Sequence, residues 1–246
     1  MACITPTHLY RRYLVDKLFL NKIAKPFKFL EVGCGSGEFA AHLAKHGNYG
    51  LALDISSEAI KLAKIKLKGS GVSAISSDFH KITDQYDYVF CFEVIEHLKD
   101  DKKAFKKIFS LVSVGGHFVF SVPAHMSLWG RDDEWGGHYR RYEKNTLSKS
   151  LRESGFRIIN FWDYGFPIFN LTRRIYNFVC SIGSKHNSLS KEEATLRTGL
   201  EKEGGSFISF FSPLNFFLPV IFWFSNFFLK SNLGSGYLIE CQRVKP

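Results

Sequence analysis

The feature that most constrains this chain is the run Phe27-Lys28-Phe29-Leu30-Glu31-Val32-Gly33-Cys34-Gly35-Ser36-Gly37-Glu38-Phe39. A mostly apolar stretch without a turn residue reads as a buried strand, and it hands over to three glycines spaced two apart. Glycine serves where the backbone bends sharply or passes close to a ligand, because it has no Cβ to clash. Apolar residues then return at helical spacing with Phe39, Ala40 and Leu43. Strand, glycine turn and helix together predict the opening of a nucleotide-type binding unit, with the ligand at the carboxyl end of that strand. A glycine-rich turn that holds no ligand is the alternative.

The same alternation continues. His8 to Ala24 reads as a basic amphipathic helix ending before Pro26, and a helix after the glycines runs to about His46. Tyr49–Ile55 is a second strand carrying Asp54, about 20 residues beyond the glycines, where an acidic side chain can accept from both hydroxyls of a ribose. A helix N-cap is the competing role for Asp54, one that Ser56 or Ser57 can fill equally. Ala59, Ile60, Ala63 and Leu67 mark a helix, and Val72–Ser77 a third strand that delivers Asp78 and Phe79. Tyr86–Glu93, entered through Asp84 and Asp87, is almost wholly apolar inside, as a strand covered on both faces should be. Asp100 and Asp101 open a helix to Leu111, Gly115-Gly116 turns into a strand over His117–Val122, and Pro123 stops it. A helix Thr146–Ser154 with Gly155 as its C-cap, a strand Phe156–Tyr164 and a last strand Gly236–Val244 complete the set. Short connections between alternating strands and helices predict parallel βαβ units in a doubly wound α/β sheet.

The glycine spacing, with Glu31 inside the strand, resembles motif I of the class I S-adenosylmethionine (SAM)-dependent methyltransferases, commonly E-x-G-C-G-x-G. The resemblance implies a Rossmann-like, seven-stranded sheet whose sixth and antiparallel seventh strands are normally joined almost directly. Here residues 165–235 intervene. That divides the chain into a SAM-binding domain over 1–164 plus 236–246 and an inserted helical lid or substrate subdomain over 165–235. The implied SAM contacts are Glu31, Gly33, Cys34, Gly35 and Gly37 at the first turn, Asp54 and Ile55 at the ribose, Asp78 and Phe79 at the adenine, and Glu93 at the methionine end.

The chemistry is expected past the fourth strand, at Glu93-Val94-Ile95-Glu96-His97. If a helical turn begins at Glu93, Glu96 and His97 follow at i+3 and i+4 and all three converge. E-x-x-E-H resembles ubiquinone-biosynthesis O-methyltransferases and small-RNA 2′-O-methyltransferases, and that implies Glu93, Glu96 and His97 as ligands of a divalent Mg, Mn or Zn ion, for which His125 or His138 could supply a fourth. The alternative is that Glu93 orients the methionine end of SAM while His97 packs or caps the next helix. A second segment, Val122-Pro123-Ala124-His125 through Gly137-His138-Tyr139-Arg140-Arg141-Tyr142, resembles a broad bacterial methyltransferase group, some of it linked to cell-surface glycan or lipid synthesis. His125 and His138 are general-base candidates there, Glu93 and Tyr139 complete the candidate catalytic set, and Tyr139 and Arg140 are acceptor-binding candidates. An arginine–carboxylate network that only staples the loop is the competing reading for Arg131, Arg140 and Arg141.

Composition narrows the partners. A net charge of +10 suits an acidic partner or an anionic membrane surface, although the lysines at 61, 64, 66 and 68 also read as one solvated helix face. Five scattered cysteines show no disulfide framework or C-x-x-C spacing, and no secretory signal opens the chain, so the expected location is the cytoplasm, peripheral at the inner face of the membrane. Residues 184–206 are polar, whereas Phe207–Leu229 carries no charge and reads as a buried lid, a membrane-surface helix or a span. The function expected is SAM-dependent methyl transfer to a hydroxyl of a small or lipid-like acceptor, with no nucleic-acid partner. The rivals are an RNA 2′-O-methyltransferase, which the charge supports but the greasy insertion does not, and a NAD-dependent oxidoreductase, which needs a third glycine at a different place. A SAM-binding protein without catalysis is a further rival.

Overall fold

The computed structural model describes residues 6–23, 26–183 and 218–244. Its strands are β1 (Lys28–Val32), β2 (Tyr49–Asp54), β3 (Val72–Ser76), β4 (Tyr86–Phe92), β5 (Val112–Pro123), β6 (Phe156–Tyr164) and β7 (Gly236–Arg243). They form one seven-stranded sheet in the order β3-β2-β1-β4-β5-β7-β6, parallel except for the two ladders made by β7. The helices are α1 (Pro6–Leu18), α2 (Glu38–Lys45), α3 (Ser57–Lys66), α4 (Asp101–Leu111), α5 (Arg131–Gly136), α6 (Lys144–Glu153), α7 (Ile168–Gly183) and α8 (Leu218–Ser225). The seven strands and the antiparallel seventh are those of the expected class I methyltransferase sheet.

Period-two alternation makes two cores, one on each side of the sheet. From β4, Val89 and Cys91 go to the side covered by α4 and α6, while Phe90 goes to the side covered by α1, α2 and α3. All three are fully buried. Burying a side chain the size of Phe90 is worth about 1.5–3 kcal/mol, so a sheet covered on both faces accounts for a strand that is apolar from Tyr88 to Phe92, past the exposed Asp87 at its entrance. The caps are local: Ser56 Oγ accepts from Ala59 N (3.2 Å) to start α3, and Asp100 Oδ1 accepts from Lys103 N (2.9 Å) to start α4. Ser56 therefore fills the capping role that competed for Asp54.

Four local expectations shift. The basic helix ends at Leu18, and a 3-10 turn over Leu20–Lys22 follows it. β5 begins at Val112, five residues early, because Val112 pairs with Tyr86 and an irregularity between Tyr86 and Tyr88 absorbs Gly115-Gly116. β4 stops at Phe92, so Glu93 lies outside it. Ser154, not Gly155, caps α6, and Gly155 follows it with a left-handed φ of +96°.

α7 and α8 lie between β6 and β7 in the chain. Phe169 of α7 and Phe222 of α8 pack on Tyr10 of α1, with ring centroids 5.2 and 4.9 Å away. The polar stretch 184–206 and the first half of 207–229 lie outside the described residues. Among the described residues no helix is long and apolar enough to cross a membrane.

Candidate active site

At the carboxyl end of β1 the chain passes through three left-handed glycines, Gly33 (φ +75°), Gly35 (φ +51°) and Gly37 (φ +76°). A Cβ on Gly33 would lie 2.3 Å from Val94 Cγ2, and one on Gly37 would lie 3.1 Å from Ala63 Cβ. Positive φ and close approach each require glycine there. The turn is clamped to β2: Gly33 N and Cys34 N both donate to Leu53 O (2.8 and 2.9 Å), and Gly35 N donates to Asp54 Oδ2 (2.8 Å). Asp54 Oδ1 accepts from Ser56 N (2.9 Å). Each carboxylate oxygen keeps a further lone pair, so Asp54 can hold the turn and still accept from a ligand.

Glu31 sits beneath this turn. Burial pushes its carboxyl up to about 8, against a hydrogen bond from Ala40 N and with the Asp54 charge adding to the rise. Its Oε2 is buried with no hydrogen-bond partner among the described residues. A narrow glycine cradle above an orphaned carboxyl oxygen, flanked by the Asp54 carboxylate, fits a nucleoside ligand that carries a positive charge. At the far end of the site Ile55 is exposed and Asp78 Oδ1 accepts from His80 N (2.9 Å). The Phe79 side chain is buried in the core under the sheet, which leaves its backbone as the part that could face a ligand.

Past β4, Glu93 takes a left-handed φ of +55° while its N–H still donates to Ser121 O (3.1 Å). Its Oε1 accepts from Ser121 Oγ (2.7 Å) and Tyr164 OH (3.2 Å), and Arg11 Nη1 lies 3.5 Å away. The helical turn expected from Glu93 does not form; a 3-10 turn begins instead at Ile95. The expected Glu93–Glu96–His97 set is accordingly regrouped: Glu96, His97 and His138 each bring one ligand atom within 4.8 Å of the others, and Glu93 is not among them.

That trio is held rigidly. Asp133 is fully buried and accepts from Arg141 Nε (2.9 Å), Arg173 Nη2 (2.7 Å) and Gly130 N (2.8 Å), and its Oδ1 lies 2.9 Å from His138 Nδ1. Burial alone would raise the Asp133 carboxyl, but the hydrogen bonds from His138 and Arg141 and the nearby guanidinium charges hold it well below the carboxylate range. A charged Asp133 fixes the proton on His138 Nδ1 and leaves Nε2 as an acceptor, 3.9 Å from Glu96 Oε1. His97 Nε2 is 4.0 Å from the same oxygen, and burial, with His138 beside it, pushes that imidazole down to about 3. Glu96 is fully buried with neither carboxyl oxygen hydrogen-bonded among the described residues. Burial, then the Glu93 charge, pushes its carboxyl well above the ordinary value.

The other candidates are each tied to partners of their own. His125 Nδ1 lies 3.2 Å from Glu143 Oε2 and its Nε2 3.3 Å from Tyr237 OH, so both ring nitrogens have partners. Tyr139 N donates to Glu96 O (2.8 Å). Arg140 is tied to Asp101 Oδ2 (2.9 Å) and Lys99 O (2.6 Å), and Arg141 to Asp133 and Ala124 O (2.7 Å), which is the stapling arrangement. Sequence reasoning missed Arg11, which the basic pattern of α1 signalled without showing which arginine turns inward. It also missed Asp133 and Arg173, for which no local signal exists.

A family model described as a methyltransferase domain matches residues 7–160. The ubiquinone biosynthesis O-methyltransferase of Vibrio vulnificus (strain YJ016) is 33% identical over 101 residues, a stretch covering 39% of this chain and 43% of that protein. The chain thus spans less than half the length of this relative. Among solved structures, magnesium protoporphyrin IX methyltransferase from Synechocystis PCC 6803 with bound S-adenosylhomocysteine superposes with a TM-score of 0.53 at 20% identity, over 63% of this chain and 76% of that one. The cyclase SpnF superposes with a TM-score of 0.62 at 13% identity, over 97% and 82%. At such identities these two likenesses speak for the fold alone.

Proposed function

The chain belongs to the class I SAM-dependent methyltransferases, and on that premise we propose that it methylates a hydroxyl group of a small or lipid-like acceptor. The observation that carries the acceptor chemistry is the Asp133–His138 pair beside the end of β4. An alcohol is a poor nucleophile until its proton leaves, and His138 Nε2, with Nδ1–H given to a charged Asp133, is built to take it. The negative Asp133 then stabilises the imidazolium that forms. The ubiquinone relative, an O-methyltransferase by name, supports a hydroxyl acceptor.

SAM, when bound, supplies a methyl group on a positively charged sulfur, open to in-line displacement. In this chain Gly33, Cys34, Gly35 and Gly37 would cradle it, Asp54 would accept from the ribose hydroxyls, and Ile55 and Asp78 would border the adenine. Glu31 and Glu93 place negative or polar oxygen near the sulfonium end, and Arg11 offers the methionyl carboxylate a partner. The described parts of the insertion, 165–183 and 218–235, would form the acceptor side, with an apolar surface suited to a lipid-like molecule taken from a membrane surface.

A second reading of the trio rests on the orphaned Glu96. Two imidazole nitrogens and one carboxylate oxygen suit a divalent ion such as Mn or Zn, which would polarise the acceptor hydroxyl. Titration calorimetry with SAM tests the main reading: Asp54→Ala should weaken binding by roughly ten- to hundred-fold, the worth of hydrogen bonds to a charged acceptor. Unchanged affinity rejects the cofactor assignment. Methyl transfer that is indifferent to a strong chelator, with no metal in the purified protein, rejects the ion.

A further inference from the structure

α8 is short and faces two ways. Phe222 and Ser225 turn inward, while Val220 and Trp223 on its outer side, and Phe227 in the 3-10 turn that follows over Asn226–Phe228, are 62%, 61% and 69% exposed. The Trp223 and Phe227 rings meet edge-on at 5.0 Å, and exposed Lys230 follows at the end of the stripe. On α7, Leu171 and Ile175 are exposed one turn apart, with exposed Arg174 on the same side. Scattered apolar residues on a surface are ordinary, but a contiguous aromatic stripe marks an interaction site. Both helices and the turns beside them, 164–183 and 218–235, contain Arg173, Arg174 and Lys230 and no acidic residue.

We propose that the outer faces of α8 and of the first half of α7 dock on an anionic lipid surface, from which the acceptor enters; this rests on the methyl-transfer reading. Tryptophan and phenylalanine flanked by cations suit the boundary between headgroups and acyl chains, and no described helix is long enough to cross it. A second copy of the chain is a poorer occupant, because a symmetric pair would set Arg174 and Lys230 against their own likes. The face is also close to the cofactor end. Asn226, just behind the stripe, accepts from Tyr10 OH (3.2 Å) and donates to Tyr13 OH (3.1 Å). Arg11, between those tyrosines in α1, reaches Glu93.

The test is flotation of the full chain with vesicles of phosphatidylcholine alone and of phosphatidylcholine mixed with phosphatidylglycerol. The mixed vesicles should carry the protein and the neutral ones much less. Trp223→Asp should lower partition roughly ten-fold or more, and Lys230→Glu with Arg174→Glu roughly five-fold or more per charge. Both variants should keep the SAM affinity measured without vesicles, which separates docking from folding. Absence of flotation, equal flotation on neutral vesicles, or a dimer that Trp223→Asp dissociates without any vesicle binding each overturns the proposal. Wild-type protein that binds SAM but does not float sinks only the docking; failure to bind SAM sinks the methyl-transfer reading instead.

Discussion

Gly33→Ala perturbs the proposed cofactor cradle at its tightest point. The residue has φ +75°, where an L side chain costs about 1–2 kcal/mol. The new methyl would start 2.3 Å from Val94 Cγ2, an overlap that forces Val94 or the turn to move, at about 1–3 kcal/mol for an overpacked site. Together the loss is roughly 2–5 kcal/mol, which for a chain of this size lowers the melting temperature by roughly 5–15 °C. Because Gly33 N and Cys34 N share the Leu53 carbonyl, a shift at Gly33 also disturbs the clamp to β2, and SAM affinity should fall about ten-fold or more. Truncating the neighbour separates the two costs. In Gly33→Ala with Val94→Ala the overlap disappears and the backbone strain stays, so a double-mutant cycle should return a favourable coupling of about 1–2 kcal/mol. Denaturant midpoints and calorimetry read all three variants. A single mutant that melts like the wild type and binds SAM equally well, or a coupling of zero, refutes the close approach on which the cradle rests.

Glu31 has a folded value raised to about 8 from 4.5, so the folded chain holds its proton where the unfolded chain has released it. Its contribution is present below the unfolded value and is lost as pH rises through the folded one; stability of the ligand-free protein should fall between about pH 5 and 8, and Glu31→Gln should flatten that slope in pH-dependent denaturation. Asp133→Asn strips the charge that Arg141 and Arg173 share in a buried setting and should cost about 3–5 kcal/mol in denaturant unfolding; a loss below 1 kcal/mol would show the network to be dispensable. Arg11→Met removes the guanidinium that lies over the Phe92 ring and beside Glu93, so SAM should bind roughly ten-fold more weakly. Equal affinity would deny Arg11 a place at the cofactor.

The order of elements was legible because its signals are local. β6 occupies Phe156–Tyr164 as read, and glycine and proline mark the ends of apolar runs whose neighbours on the sheet hide both faces. The first turn was legible for the same reason: only glycine tolerates its φ values, and Asp54 follows at a fixed chain distance. What tertiary structure alone decided depends on residues far apart in sequence. Glu93 looks like the start of a helical turn, but the hydrogen bond from its N–H to Ser121 O holds it at the strand end and its left-handed backbone sends the carboxylate toward Arg11. β5 begins early because pairing with Tyr86 outweighs the glycine pair that reads as a turn. His138 meets Glu96 and His97 because Asp133 gathers Arg141 from its own loop and Arg173 from α7. Propensity acts over a few neighbours, whereas a buried charge must find its partners wherever the fold brings them; local pattern therefore set the sheet and the glycine turn, and packing decided which side chains meet beyond the end of β4.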